Sequence, residues 1–491
     1  MVSYETCVPP PEGNFLFAPL PYDPADRESC LRHAGKLKDA GSLRQAIHDC
    51  VPPEHQPTVI REVDAILSSG GKGALGNAIE AGHFYYRPNS SVKPDLGWAE
   101  LKCTGLLPDG KDAYRAKERL VICMINYGGN AASSIPCVVE ESAEQSHAFR
   151  KLTSILLVFY DYAKYSESAE LLDARIRLAG LWVPEPEDIL SFKQDWEVIR
   201  EYVKQGRAHE LSEGLTPMLG ACTKSSDSSV RVRQGYGSEL AKPRAFALKQ
   251  AFVTQIFRQL SGDKPKSQST GVVAEPFIYD MKPPKNIELV VAEEAKRYRG
   301  SSTMEIEAKL RLEGKFGGKS VHSLRMNKFV NALASGDQFT PIGSLSDFRK
   351  SGLTVKVVRI LKNGQAAESV SFPAFEYDQV AAEDEWEESS LYQDLVKRFL
   401  FVFLRDYKDG NLPVFDRAVF WSMPEDHLDL TKEVWEDTVR LIRSRRLEEL
   451  PREAETYAVH VRPHDRRRYP GFKRSYWLNK SYVSTIWANS K

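Results

Sequence analysis

The sequence has no apolar run approaching a membrane span, no CxxC pair and no cysteine beyond Cys222. A bilayer crossing needs about 20 consecutive apolar residues, so no transmembrane helix is expected. Met1 to Phe17 has neither a basic start nor an apolar centre, which argues against a secretory signal. The 7 cysteines (Cys7, Cys30, Cys50, Cys103, Cys123, Cys137 and Cys222) are odd in number. Their spacing predicts reduced thiols in a cytoplasmic protein and indicates neither a disulfide frame nor a zinc site. Net charge is absent too: 67 basic residues balance 67 acidic ones. No global field therefore marks a nucleic-acid partner.

What is present is a globular composition, 42% hydrophobic and 27% charged, in a chain of 491 residues. That length predicts two or three domains. The neutral sum hides segregation. Between Leu441 and Lys480 stand 11 Lys/Arg against 5 Asp/Glu, whereas Ala367 to Asp394 holds 9 acids and no base. The acidic stretch, densest at Glu383 to Glu388, reads as a solvated loop, or as a cover over a basic groove.

The two halves are copies. Glu100-Leu101-Lys102 leads into a glycine-bearing hairpin, and Thr354-Val355-Lys356 does the same at identical spacing. Leu156 to Tyr162 is echoed by Leu400 to Tyr407, Trp196-Glu197 by Trp435-Glu436, and Phe246 to Phe257 aligns without a gap on Tyr476 to Trp487. The Lys-, Pro-, Ser- and Gly-rich segment 261–285 reads as a linker between residues 1–260 and 286–491. Periodicity predicts helices over Pro24–Lys38, Leu43–Asp49, Pro57–Ser68, Ala74–His83 and Ser191–Gln205, and strands over Trp98–Cys103, Leu120–Tyr127 and Ser154–Tyr162. The fold class is mixed α/β.

One strand carries chemistry. Alternation along Glu100-Leu101-Lys102 turns the acid and the amine to one face and Leu101 to the core. Asp95 arrives from the turn that Pro94 and Gly97 punctuate. Two carboxylates and an amine in one small volume suit Mg²⁺ and the positioning of an attacking water, as phosphodiester hydrolysis requires. Taken alone, acid-x-Lys is as readily a solvated salt bridge. Glu80, on a helix entered through Gly73, is a candidate third carboxylate or an exposed helix acid. Arg150-Lys151 precedes the apolar strand and would face a phosphate or water.

Gly73 and Gly76 ahead of Glu80, Pro94-Asp95, Glu100-Leu101-Lys102, Arg150-Lys151-Leu152 and Phe246-Ala247-Leu248-Lys249 together resemble MutH. They resemble more the two-domain, GATC-cutting type II restriction endonucleases related to it, the Sau family of the PD-(D/E)xK superfamily. The resemblance covers nearly the whole chain and implies two tandem MutH-like folds, the second degenerate. It implies Asp95 and Glu100 as metal acids, Lys102 as the catalytic lysine, Glu80 completing the cleft, and Lys151 holding the scissile phosphate. Leu219 to Lys224 matches the recognition loop, with Thr223 and Lys224 among its contacts, and Arg231, Arg233 and Lys249 join the DNA-binding set. MutH has tyrosine where Ala247 stands, at a position the family uses to sense adenine methylation, so cutting irrespective of methylation is expected.

In the second copy Thr354 replaces Glu100, Arg349 stands at the offset of Asp95, and only Lys356 survives. That copy is expected to be catalytically inactive and to bind DNA. Arg462 suits bidentate guanine readout, His464 lies in the same segment, and Arg466, Arg467, Arg468, Lys473 and Arg474 suit phosphates. The implied activity is Mg²⁺-dependent cleavage of double-stranded DNA at GATC, leaving 5′-phosphate and 3′-hydroxyl ends. One active site per chain implies a monomer that pairs on DNA or cuts twice, with a second DNA site in the second copy. The alternatives are a mismatch-repair nicking enzyme and a non-catalytic DNA-binding regulator.

Overall fold

The computed structural model describes all residues except 1–13, 71–72, 90, 110–112, 131, 163–167, 226–228, 263–286, 311–327, 335–349, 407–412, 464–473 and 491. Most of the expected linker, Cys7, Arg349, His464, Arg466, Arg467, Arg468 and Lys473 therefore lie outside the described residues. The chain divides into two compact units, Met1–Leu211 with Met218–Ala274, and Ser212–Pro217 with Glu275–Lys491. Among the described residues no helix is long and apolar enough to cross a membrane.

The first unit opens with four helices. α1 (Arg27–Ala40) starts where Asp26 accepts from the amides of Glu28 and Ser29, three residues later than Pro24 suggests. α2 (Leu43–Cys50) is capped by Ser42, α3 (Gln56–Ser69) follows, and α4 (Ala74–Gly82) begins at Gly73, whose φ of 87° suits glycine. Their apolar faces meet Leu101, Leu156, Val158 and Ile176 in one core.

That core rests on a sheet ordered β2-β1-β4-β5, made of β1 (Glu100–Pro108), β2 (Tyr114–Ala116), β4 (Ile155–Asp161) and β5 (Ile176–Trp182). β1 and β4 run parallel, pairing Glu100 with Ile155 and Lys102 with Leu157. Ile155 to Phe159 are all buried, which explains the unbroken apolar run. Between β1 and β4 lie β3 (Leu120–Met124) and α5 (His147–Leu152). β5 is followed by α6 (Pro186–Lys204), β6 (Leu219–Thr223), β7 (Arg244–Leu248) and α7 (Gln250–Ser261). α6 begins five residues before the expected Ser191 because Pro186 opens its first turn, where a missing amide is harmless. β3, β7 and β6 form a second, antiparallel sheet. The segment expected to be a recognition loop is thus mostly strand β6, fully buried from Leu219 to Thr223.

The second unit repeats this plan. Helices α8 (Ile287–Tyr298) and α9 (Thr303–Lys309) precede β8 (Thr354–Ile360) and β9 (Val370–Phe375). Then come α10 (Tyr377–Ala381), α11 (Ser390–Leu395), β10 (Phe399–Arg405), β11 (Val414–Trp421), α12 (Glu425–Arg443), β12 (Val459–Pro463), β13 (Arg474–Leu478) and α13 (Lys480–Asn489). β8 pairs parallel with β10 as β1 does with β4, with Thr354 opposite Phe399. β12-β13-β9 mirrors β6-β7-β3. Ser146 and Ser389 cap α5 and α11 by the same hydroxyl-to-amide bond. Thr254 receives the amide of Ala116 as Ser484 receives that of Ala366. The acidic stretch is largely solvated, with Asp384 and Glu385 exposed, but Glu383 is tied into the unit. Glu383 accepts from the Trp435 indole at 2.7 Å and the Ser390 amide at 2.8 Å, and Arg443 holds Asp384 at 2.8 Å. Deleting it would remove a staple of this unit's core.

Two buried histidines set the acid limit of the first unit. The rings of His33 and His83 stack at 4.3 Å, and each Nε2 donates to the other's carbonyl, at 2.7 and 2.9 Å. Neither Nδ1 has a hydrogen-bond partner, so protonation would bury an uncompensated N–H. Burial accordingly holds His33 down at about 4 and His83 at about 3. Both pKa values are depressed, so the unfolded chain binds more protons and stability falls as pH drops below the ordinary histidine value near 6.5. By pH 5 the expected loss is about 2 kcal/mol for each ring. Urea titrations from pH 7 to 4 should show it, with a slope shallower by about one proton for His33→Gln; parallel slopes would refute the account.

Candidate active site

The site is built where the parallel pairing of β1 and β4 meets the short helix α5. Leu101 is 1% exposed, so its neighbours Glu100 and Lys102 share the opposite face of β1. Asp95 is drawn in by a turn closed by Leu96 N–H to Ala99 O at 2.9 Å, with Gly97 at φ 75°. Its Oδ2 accepts the Leu101 amide at 3.0 Å, tying the acid to the strand.

The centre is the Glu100 carboxylate, 1% exposed. Its Oε1 accepts from Lys102 Nζ at 2.7 Å and from Lys151 Nζ at 2.9 Å. Its Oε2 is buried with no hydrogen-bond partner. Two ammoniums on one oxygen compensate the buried charge, while the other oxygen is left as a bare donor atom.

Three further groups feel this field. Burial, reinforced by the charges of Asp95 and Glu100, pushes Glu80 up to about 8 against the opposing lysines. Burial and the Glu100 charge raise Asp95 to about 6, although Lys102 and the Leu101 amide pull it down. Burial alone would lower Lys102, but Glu100, Asp95 and Glu80 together hold it above the ordinary lysine value. Lys102 is therefore held as an ammonium here, and Glu80 is biased toward its protonated form.

Among the described residues no cluster of three or more His, Cys, Asp or Glu side chains forms a ready metal cage. Mg²⁺ does not ask for one: it takes one or two carboxylates and fills its octahedron with water and substrate phosphate. Asp95 and the open Oε2 of Glu100 fit that demand.

Sequence reasoning missed the device that aims Lys151. His147, the first residue of α5 and 2% exposed, directs Nδ1 at Glu141 Oε2 (2.9 Å) and Nε2 at the Met124 carbonyl (3.0 Å). The backbone amide of His147 also donates to Glu141 Oε1 at 3.0 Å. Both ring nitrogens face acceptors, so the ring holds both protons. Burial opposes that charge, but hydrogen bonds to Cys123 and Glu141 outweigh it and push the pKa up to about 10. The clamp pins α5 to β3 and so fixes Lys151 against Glu100. A six-residue Glu–His spacing with a carbonyl partner leaves no periodic signal in the sequence.

The DNA-binding candidates fall into three groups. Lys224, Arg231 and Arg233 are exposed beyond β6. Thr223 and Lys249 are 7% and 6% exposed, enclosed in the protein and not presented on its surface. In the second unit Arg462 lies on β12 with its guanidinium 3.5 Å over the Trp477 ring, while His464, Arg466 and Arg467 lie outside the described residues.

The model of the DNA mismatch repair enzyme MutH matches residues 84–195, the stretch that holds Asp95, Glu100, Lys102 and Lys151. Over 475 residues the chain is 32% identical to the type II restriction enzyme Sau3AI of Staphylococcus aureus, covering 89% of this chain and 92% of that enzyme. The chain belongs to the Sau3AI family of type II restriction enzymes. It is a site-specific deoxyribonuclease with a MutH-like domain in its N-terminal part. The DNA mismatch repair protein MutH of Shewanella amazonensis is 32% identical over 186 residues, 35% of this chain and 82% of the relative. That of Pasteurella multocida is 27% identical over 121 residues, 24% of this chain and 53% of the relative.

The clamp makes a specific demand. Glu141→Gln should lower the DNA cleavage rate about 10- to 100-fold, the usual effect of losing a supporting partner, while DNA affinity in Ca²⁺ stays within twofold of wild type. Unchanged cleavage would show that Lys151 needs no such support.

Proposed function

We propose that this enzyme cuts both strands of DNA at GATC by Mg²⁺-dependent phosphodiester hydrolysis, leaving 5′-phosphate and 3′-hydroxyl ends. The observation that carries the chemistry is the Glu100 carboxylate, which lends one oxygen to two lysines and leaves the other open. The likeness to Sau3AI along nearly the whole chain supports the restriction reading and, through the family, the GATC word.

Uncatalysed hydrolysis requires on the order of 20 kcal/mol of barrier lowering. Asp95 and Glu100, with Glu80 beside them, would hold Mg²⁺, which would supply Lewis-acid stabilisation of the charge that develops on the phosphate oxygens. Lys151 holds the scissile phosphate. Lys102, charged in this field, is placed to orient the attacking water by donation. Lys224, Arg231 and Arg233 extend the positive surface for the DNA backbone. Ala247 is 1% exposed within the β3-β7-β6 sheet. So small and enclosed a side chain supports cutting irrespective of adenine methylation.

The second unit acts as a DNA-binding module without catalysis. Thr354 in the place of Glu100 removes the metal acid, and Arg462 on β12 is its base-reading candidate. With one catalytic set per chain, a double-strand break takes two chains on one site or two successive cuts. The match to MutH keeps a nicking enzyme as the second reading.

Glu100→Ala and Lys102→Ala should each abolish plasmid cleavage in Mg²⁺ yet retain GATC-duplex binding in Ca²⁺. Sequencing the ends of digested plasmid should return GATC, and linear product should accumulate. Nicked circles alone would support the second reading, and cutting by Glu100→Ala would overturn the assignment. Fully adenine-methylated plasmid should be cut at the same rate; resistance would rule out the role given to Ala247.

A further inference from the structure

The second unit keeps a cavity at the place where the first unit has its catalytic centre. About 250 Å³ in volume, it is lined by Thr354, Lys356, Ser371, Phe372, Asp394 and Lys397, among others. Thr354 and Lys356 occupy on β8 the positions of Glu100 and Lys102 on β1, since both strands pair parallel with an apolar neighbour in the same register. Asp394 follows the α11 cap Ser389 by five residues, as Lys151 follows Ser146. The charges have been exchanged: the strand acid is lost and an acid stands where the helix lysine was.

This exchange leaves one cation without a counter-charge. Asp394 is engaged by Lys397 at 2.6 Å, and the two neutralise each other. Lys356 donates to the Ser371 carbonyl at 2.6 Å and lies 5.9 Å from the Phe372 ring centre. Among the described residues it has no carboxylate within ion-pairing distance. Its desolvation is costly, and burial lowers its pKa against the weaker help of Asp394. A half-buried ammonium beside an open cavity, with the metal-binding acid removed, is what a site for a bound oxyanion needs.

We propose that this cavity binds a phosphate group through Lys356, and that the phosphate belongs to the backbone of a DNA duplex held by the second unit. The proposal rests on the reading of that unit as a DNA-binding module. Lys356 then supplies a sequence-independent anchor, while Arg462 is the base-reading candidate. Thr354 offers a neutral hydroxyl where a carboxylate would repel the ligand. Asp394 tempers the site and keeps it from binding every passing anion.

The test uses the full-length protein in EDTA, so that no hydrolysis intervenes. Lys356→Met replaces a desolvated ammonium with an apolar chain of similar length, so its melting temperature in anion-free buffer should equal or exceed that of wild type. Inorganic phosphate should raise the melting temperature of wild type and not of Lys356→Met, and Asp394→Asn should bind phosphate several-fold more tightly. On a long duplex, Lys356→Met should weaken binding equally for all sequences and reduce the slope of log K against log salt by about 0.9, the loss of one phosphate contact. Phosphate protection through Lys356 with an unchanged DNA slope would make the ligand a free anion and overturn the DNA assignment. No effect of phosphate and no change in slope would overturn the site altogether. Arg462→Ala separates the two readings: if it weakens duplex binding while Lys356→Met does not, the DNA-binding module stands and the pocket alone falls.

Discussion

The candidate active site depends on how one buried carboxylate is accommodated. Glu100 is placed in the interior by the parallel pairing of β1 with β4, where a carboxylate without partners would be costly. Two lysines of different origin compensate it, one on its own strand and one on α5, both on the same oxygen. Everything else at the site follows from that arrangement. Lys102 stays charged, Asp95 and Glu80 are pushed toward protonation, and a single carboxylate oxygen is left open for a hard cation.

The arrangement also explains why α5 needs its own anchor. A six-residue helix has little stability of its own, yet Lys151 must reach across to Glu100 with its ammonium enclosed. The Ser146 cap and the His147–Glu141 clamp fix both the start of the helix and its seat on β3. A charged imidazole in the interior is tolerable because a carboxylate and a carbonyl accept its two protons. The placement of Lys151 is therefore purchased at a second buried ion pair about one helical turn away.

What could be read from the chain tracks what is periodic. Glu100 and Lys102 were legible because a strand alternates and Leu101 had to face inward. The four opening helices were legible from capping residues and spacing, with ends displaced by a few residues. The doubling of the chain was legible because β1/β8 and β7/β13 kept their pattern after the loops diverged. β6 was not, since Gly220, Ala221 and Cys222 carry little strand preference and owe their conformation to pairing with β7 and to Asp195, which accepts the Met218 and Leu219 amides. Lys151 was legible only as a basic residue ahead of an apolar strand, facing a phosphate or water, and took its role from the family resemblance; the His147 clamp was legible by neither route, because both act across tertiary contacts.

The second unit sharpens the logic of the first. It retains the strand register, the capped helix and the strand lysine, while the charges that those elements carry differ. Thr354 for Glu100 removes the oxygen that a metal would take, so Lys356, two residues along the same strand, no longer has that acid to neutralise. Asp394 then restores part of the balance from the helix side. The same scaffold of strand and short helix thus holds an acid between two lysines in one unit and a lysine without that acid in the other.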